Sequence, residues 1–142
     1  MSRPSLPIEH APTPEDVRVL EEAIDAFNQA RTGITDGKLF AMFLRDGEGR
    51  PIGGLFGWTW GATCYIRYLF VPAPLRGQGI GSDLMAAAEA EARARGCRQI
   101  ALETHDFQAP DFYRRLGFEV TGRIEGYPTG YQYLTMRKRL SA

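Results

Sequence analysis

The sequence is poor in the residues from which metal centres and disulfide scaffolds are built. It has two cysteines, Cys64 and Cys97, without metal-ligand spacing, and two histidines. No zinc site and no cross-linked framework follows from that inventory, and two reduced, packed thiols are expected. Net charge is missing as well, because 17 Lys and Arg balance 17 Asp and Glu. A balanced chain has no general electrostatic reason to approach a phosphate backbone or an anionic bilayer, so a nucleic-acid partner is disfavoured and no membrane partner is expected. Long apolar runs are absent. The amino terminus carries Arg3, Pro4 and Pro7 where a secretion signal needs an apolar stretch, which leads to the expectation of a soluble, cytoplasmic protein. There is no internal repeat and no low-complexity linker. With 142 residues, 44% of them hydrophobic, the chain has apolar mass for one core, and a single domain over residues 1–142 is expected.

What is present is regular punctuation. Thr13-Pro14-Glu15-Asp16 has the order of a helix start, a hydroxyl N-cap followed by proline and an acid three residues after the cap. Val17, Leu20, Ile24 and Phe27 then repeat at helical spacing, a stripe expected to pack on a sheet, and the helix should stop before Gly33. Residues 39–44, 52–60 and 63–71 read as an antiparallel meander turned at Asp46-Gly47-Glu48-Gly49 and at Gly61-Ala62. In the third segment Thr63, Tyr65, Arg67, Leu69 and Val71 alternate with Cys64, Ile66, Tyr68 and Phe70, apolar on both faces, which suits a central strand. Pro72 and Pro74 end it. An alanine-rich helix follows from Ile80 to the arginines before Gly96, then a strand from Cys97 to Thr104 and a short helix from about Ala109 to Leu116. Residues 118–124 and 131–139 should close the chain as a hairpin around Tyr127-Pro128-Thr129-Gly130. This order points to a mixed α/β sheet with helices on its faces, in which the central strand-loop-helix-strand unit joins parallel neighbours.

The loop between that central strand and its helix reads Arg76-Gly77-Gln78-Gly79-Ile80-Gly81. Unpaired N–H groups at a helix start favour anions, and glycine lets a pyrophosphate approach without a Cβ in the way. As six letters the signal is weak, since an Arg-x-x-Gly-x-Gly triplet arises by chance in roughly one chain of this length in thirty. No early acidic ribose partner makes it a Rossmann turn, and no Gly-Lys-Ser/Thr ending makes it a P-loop.

The segment from Tyr65 through Ser82 resembles the strand, loop and helix start with which the GNAT superfamily of N-acetyltransferases holds CoA; the family pattern Arg/Gln-x-x-Gly-x-Gly/Ala falls on Arg76, Gly79 and Gly81. The run from Ala109 to Phe118 resembles the family's late helix, an aromatic-tyrosine pair followed by leucine, glycine and phenylalanine. Phe107-Gln108-Ala109-Pro110 and Tyr127-Pro128-Thr129-Gly130 are similar to a small bacterial subgroup of that family. The resemblance covers roughly residues 13–140. It implies a GNAT-like acyl-CoA N-acyltransferase fold (α/β, or α+β by its mixed sheet), mostly antiparallel, with a parallel pair formed by the fourth and fifth strands and with flanking helices. It implies acetyl-CoA as co-substrate, no metal, and direct transfer of acetyl to a primary amine of a small molecule; a homodimer is left open.

The same resemblance assigns roles. Leu69, Phe70 and Val71 would run beside the pantetheine arm, with a backbone N–H near Val71 polarising the thioester carbonyl. Arg76, Gly77, Gln78, Gly79, Ile80, Gly81 and Ser82 would hold the pyrophosphate. Tyr113 would protonate the departing thiolate, against a plain core tyrosine beside Phe112 and Phe118. The central strand lacks the carboxylate that many members use as base. Glu103, one strand on, is the acidic candidate, as base or as an attractor of a cationic amine, and alternation puts His105 on its side. Asp106 stands where many members carry an asparagine, and it cannot donate the same amide hydrogen bond. Trp58, Trp60, Tyr127, Tyr131 and Tyr133 would wall an acceptor pocket or serve as core or dimer-interface material. Two other readings stay beside the enzyme: a CoA-binding regulatory module without turnover, and a toxin-type relative acetylating charged transfer RNA, which the neutral charge argues against.

Overall fold

Turn chemistry explains the first half of the structure, a computed structural model that describes residues 2–141. The chain divides into two compact units, one through Thr35 and one from Asp36 onward. The first holds the helix α1, Pro14–Thr32. Thr13 caps it through Oγ1, which accepts from the Asp16 N–H at 3.2 Å. Gly33, at φ 74°, ends it in the left-handed conformation with its N–H on the Gln29 carbonyl.

The second unit contains β1 (Lys38–Arg45), β2 (Pro51–Trp60), β3 (Thr63–Phe70), a 3-10 turn (Ala73–Leu75), α2 (Ile80–Ala94), β4 (Gln99–His105), α3 (Pro110–Arg115), β5 (Glu119–Glu125) and β6 (Gln132–Arg139). β1, β2 and β3 form the expected meander. Asp46 Oδ1 closes its first turn by accepting from the N–H groups of Glu48 and Arg50. Gly61 and Ala62 close the second with both φ angles positive, the geometry whose twist matches a hairpin.

Six strands form one sheet in the order β1-β2-β3-β4-β6-β5. The parallel pair is β3/β4, joined through α2, and not the fourth and fifth strands as the resemblance implied. β4 and β5 do run in the same direction, because each is antiparallel to β6, but β6 lies between them. The reason is connectivity. α2 supplies a crossover long enough to bring the chain back beside β3, whereas the short β5–β6 loop returns β6 into the place next to β4 and leaves β5 at the edge.

One face of the sheet packs on α2. Leu84, Met85, Ala88 and Ala92 meet Cys64, Ile66, Ile100, Leu102, Leu134 and Met136 in a single buried cluster. Ala88 and Ala92 have no exposed surface, and so small a side chain lets the helix lie close to the strands. Each large aliphatic residue buried here contributes about 1.5–3 kcal/mol. Cys64 and Cys97 are free and buried, and burial pushes the Cys64 thiol up to about 12. Past the helix end Arg95 ties α2 to the sheet, donating to the carbonyls of Lys38 and Leu39 and to Thr59 Oγ1. Among the described residues no helix is long and apolar enough to cross a membrane.

The alternation expected to run unbroken from Thr63 to Val71 fails at one residue. Gly57 of β2 pairs with Ile66 and its neighbour Phe56 with Tyr68, so Arg67 is an extra residue on β3. Such a bulge bends its strand and reverses which side chains face which way beyond it. Before it Cys64 and Ile66 face α2; after it Leu69 and Val71 pack against the same core.

Candidate active site

β3 and β4 pair only over Thr63–Ile66 and Gln99–Leu102. Beyond Ile66 the bulge carries β3 away with β2, which it follows as far as Gly54 opposite Phe70, while β4 stays with β6 as far as His105 opposite Tyr133. Two neighbouring parallel strands therefore part, and the β3 edge facing the gap has main-chain groups without a ladder partner on β4. A cavity of about 830 Å³ lies in this parting.

Its upper wall is the loop and start of α2. Gly77 and Gly79 have φ of 77° and 80°, and a Cβ at either would meet nothing within 4 Å, so glycine is needed there for the backbone turn alone. Gly79 stands at the N-cap of α2 and supplies no side-chain cap. The N–H groups of the helix's first turn have no partner inside it, an arrangement that favours negative charge at this end of the cavity. Arg76 is held inward: its Nε donates to the Val71 carbonyl at 2.8 Å and its guanidinium lies 5.6 Å from the Phe70 ring centre. Of the residues that the resemblance placed on the cofactor, Leu69, Phe70, Val71, Arg76, Gly77, Gly79, Ile80, Gly81 and Ser82 line the cavity. Gln78 is not in that lining, and its amide donates to the Pro74 carbonyl.

Tyr113 lines the cavity from α3, its ring edge-on to Phe112 at 5.2 Å and to Phe118 at 5.8 Å. Burial raises its phenol above the ordinary value, so the proton stays on the oxygen at neutral pH. It is both a packed core residue and a cavity residue.

Glu103 lines the opposite side, at the first β4 position beyond the pairing with β3. Its Oε2 accepts from the Tyr65 hydroxyl at 2.9 Å and from the Tyr133 hydroxyl. The register produces this convergence. Tyr65 stands opposite Ala101 and Tyr133 opposite His105, so each lies diagonally to Glu103 on the same face. Both phenols are pushed up to about 12, Tyr133 chiefly by the bond to Glu103 and Tyr65 first by burial and then by that bond. Among the described residues nothing donates to Oε1.

His105 shares the face of Glu103, as alternation requires, but the two are not bonded. Its Nδ1 lies 3.0 Å from the Tyr127 carbonyl oxygen, an acceptor only, so Nδ1 carries the proton. Gln108 closes the turn after β4, its Oε1 accepting from the His105 N–H at 2.7 Å and from Thr104 Oγ1 at 3.0 Å. Asp106 contributes its N–H to the Gln132 carbonyl and lies outside the cavity lining. Trp58 packs on Tyr65 at 4.9 Å; Tyr127, Tyr131 and Tyr133 join His105 and Phe107 in a ring cluster; Trp60 stands at the β2–β3 corner, the other end of the sheet from the parting. Among the described residues no group of three His, Cys, Asp or Glu could hold a metal ion. The sequence alone did not reveal the Tyr65–Glu103–Tyr133 triangle or the bulge. Alternation could have placed Tyr65 on the Glu103 face, but Tyr133 depended on the β4–β6 register.

The chain is similar to known acetyltransferases. A model of the Acetyltransferase (GNAT) family matches residues 6–118. Acetyltransferase Atu2258 of Agrobacterium fabrum is 34% identical over 125 residues, 88% of this chain and 91% of that protein. Blasticidin-S acetyltransferase of Streptomyces morookaense is 41% identical over 97 residues, 66% of this chain and 69% of its own. A crystal structure from Agrobacterium tumefaciens superposes with a TM-score of 0.85 at 32% identity, covering 96% of this chain and 99% of the other. The chain belongs to the GNAT family of acetyltransferases, enzymes that carry an acetyl group from acetyl-CoA to an amine nitrogen.

Proposed function

We propose that the enzyme acetylates a primary amine of a small molecule by direct attack within a ternary complex. The observation that carries this reading is that one cavity is lined by the uncapped start of α2, an unpaired strand edge and a carboxylate at the far side. Donor and acceptor can then be present together, and no covalent enzyme intermediate is needed. A small acceptor is also supported by the relative named for blasticidin S.

CoA phosphates would sit on the free N–H groups of α2, with Arg76, Gly77, Gln78 and Gly79 shaping the loop, and the pantetheine arm would lie along Leu69 to Val71 as an added strand. A backbone N–H near Val71 would polarise the thioester carbonyl. Glu103 meets the incoming ammonium and takes the proton it must shed through its open Oε1. The amine nitrogen then bonds to the acetyl carbon as the carbon–sulfur bond breaks, Tyr113 gives its proton to the thiolate, and the second proton that leaves the nitrogen passes to solvent, from which Tyr113 is reprotonated.

Thiol release from acetyl-CoA over a panel of polyamines, aminoglycosides and simple amines, with the acetylated product identified by mass, tests this reading. Tyr113→Phe should lower kcat by about 10²-fold or more while the Kd for acetyl-CoA stays within about twofold. Equal kcat in both proteins removes Tyr113 as the acid, and release no faster than hydrolysis with every amine removes the transfer.

A further inference from the structure

Beside Glu103 the aromatic residues form a corner with two walls. His105 and Phe107 stack with centroids 5.1 Å apart and planes 18° from parallel. Tyr127 and Tyr133 stack at 5.1 Å and 28°. The second pair stands across the first, Tyr127 at 89° and Tyr133 at 66° to the imidazole. The hydrogen bond from His105 Nδ1 to the Tyr127 carbonyl ties the walls together. Phe107 is 54% and Tyr127 53% exposed, so each leaves ring surface open to solvent beside Glu103.

Two features give this corner a preference for positive charge. The rings contact one another, and the surface that Phe107 and Tyr127 leave open to solvent presents π density that attracts an organic cation. Tyr133 also donates its hydroxyl to the Glu103 carboxylate, which enriches its ring in electrons and brings a full negative charge to the corner. None of the chain's own cations occupies it: among the described residues, the arginines that stand over rings do so at Phe40, Phe43, Tyr68 and Phe70. Phe107 and Glu103 also line the cavity, whereas His105, Tyr127 and Tyr133 do not, so the corner meets the cleft along Phe107 and Glu103.

An attacking amine must be neutral, so a charge held in the corner belongs to another group of the same molecule. We propose that the corner of His105, Phe107, Tyr127 and Tyr133 binds a second, non-reacting cation of the acceptor, and that preferred acceptors are small primary amines carrying a further ammonium or guanidinium group. This rests on the reading of Glu103 as the acceptor end of the cleft.

1,5-Diaminopentane and pentylamine share one chain and differ by the second ammonium. The diamine should have the higher kcat/KM, by about tenfold. Tyr127→Leu, which keeps the backbone carbonyl that His105 uses, should bring the ratio toward one, and Tyr127→Phe should restore it. A ratio near one in the unaltered enzyme, or 2-phenylethylamine outperforming the diamine, overturns the inference. Calorimetric titration with 1,5-diaminopentane reads the corner without turnover. Weaker binding to Tyr127→Leu than to the unaltered protein supports the corner even where no amine is acetylated, an outcome that sinks only the transfer reading; equal binding to both proteins overturns the corner whatever the activity.

Discussion

Replacing Glu103 by Gln keeps the size of the side chain and an accepting oxygen but removes the charge on which two phenols converge. Tyr133 is held at about 12, against an ordinary 10.0, chiefly by its bond to that carboxylate. Tyr65 also stands at about 12, but burial is the larger cause. Tyr113 is raised by burial alone. Glu103→Gln should therefore return Tyr133 most of the way from about 12 toward 10, Tyr65 by a smaller part, and leave Tyr113 in place. Carbon NMR of ring-labelled tyrosine, followed from about pH 8 to 13, reads the three midpoints separately. Stability follows the same groups. Their folded values lie above the unfolded one, so their contribution is complete below pH 10 and is lost as the pH rises through about 12. The unaltered protein should lose stability across that window more steeply than Glu103→Gln. A Tyr133 midpoint that stays put, or three midpoints that fall together, would refute the assignment of these shifts to the carboxylate.

Two other substitutions probe the frame that carries the site. A Cβ at Gly57 would lie 2.3 Å from the Tyr65 carbonyl oxygen, main chain that cannot swing aside. Gly57→Ala should cost about 1–3 kcal/mol and lower the Tm by roughly 3–10 °C; calorimetry giving an unchanged Tm would show that β2 and β3 separate without strain. Arg95 has a side chain only 14% exposed and ties α2 to β1 and β2. Arg95→Ala should destabilise by about 2–4 kcal/mol in denaturant unfolding, and Arg95→Lys should not restore it because one ammonium cannot reproduce the fork; a lysine variant of full stability would count against the clamp.

Most elements were legible because their ends are local events. Thr13 with Pro14, Gly33, the Asp46 turn and the Gly61-Ala62 corner each act on residues within a few positions, and the elements fall within about two residues of the boundaries read from them. The glycine loop and Tyr113 could be singled out for the same reason, as short motifs, and they line the cavity. What could not be read is what arises between strands. No letter near Arg67 marks a bulge, because the extra residue is defined by which positions of β2 it fails to meet. The insertion of β6 between β4 and β5 is decided by a hairpin folding back, and nothing in β4 itself announces it. Glu103 could be singled out as an acid from its own strand, whereas its two phenols come from strands 38 residues before and 30 residues after it.

In a crystal, one surplus unit in a row is an edge dislocation: the rows beside it cannot all stay in step, and the lattice opens around the fault. Arg67 has this relation to the sheet. On the β2 side the rows come back into step within one residue, at Phe56 and Tyr68, while on the β4 side they never do. A sheet without the fault would zip closed along its full length and leave no space to fill. The cavity is then owed to a position counted along the chain as much as to the side chain that occupies it, although Arg67 itself reaches the cavity lining.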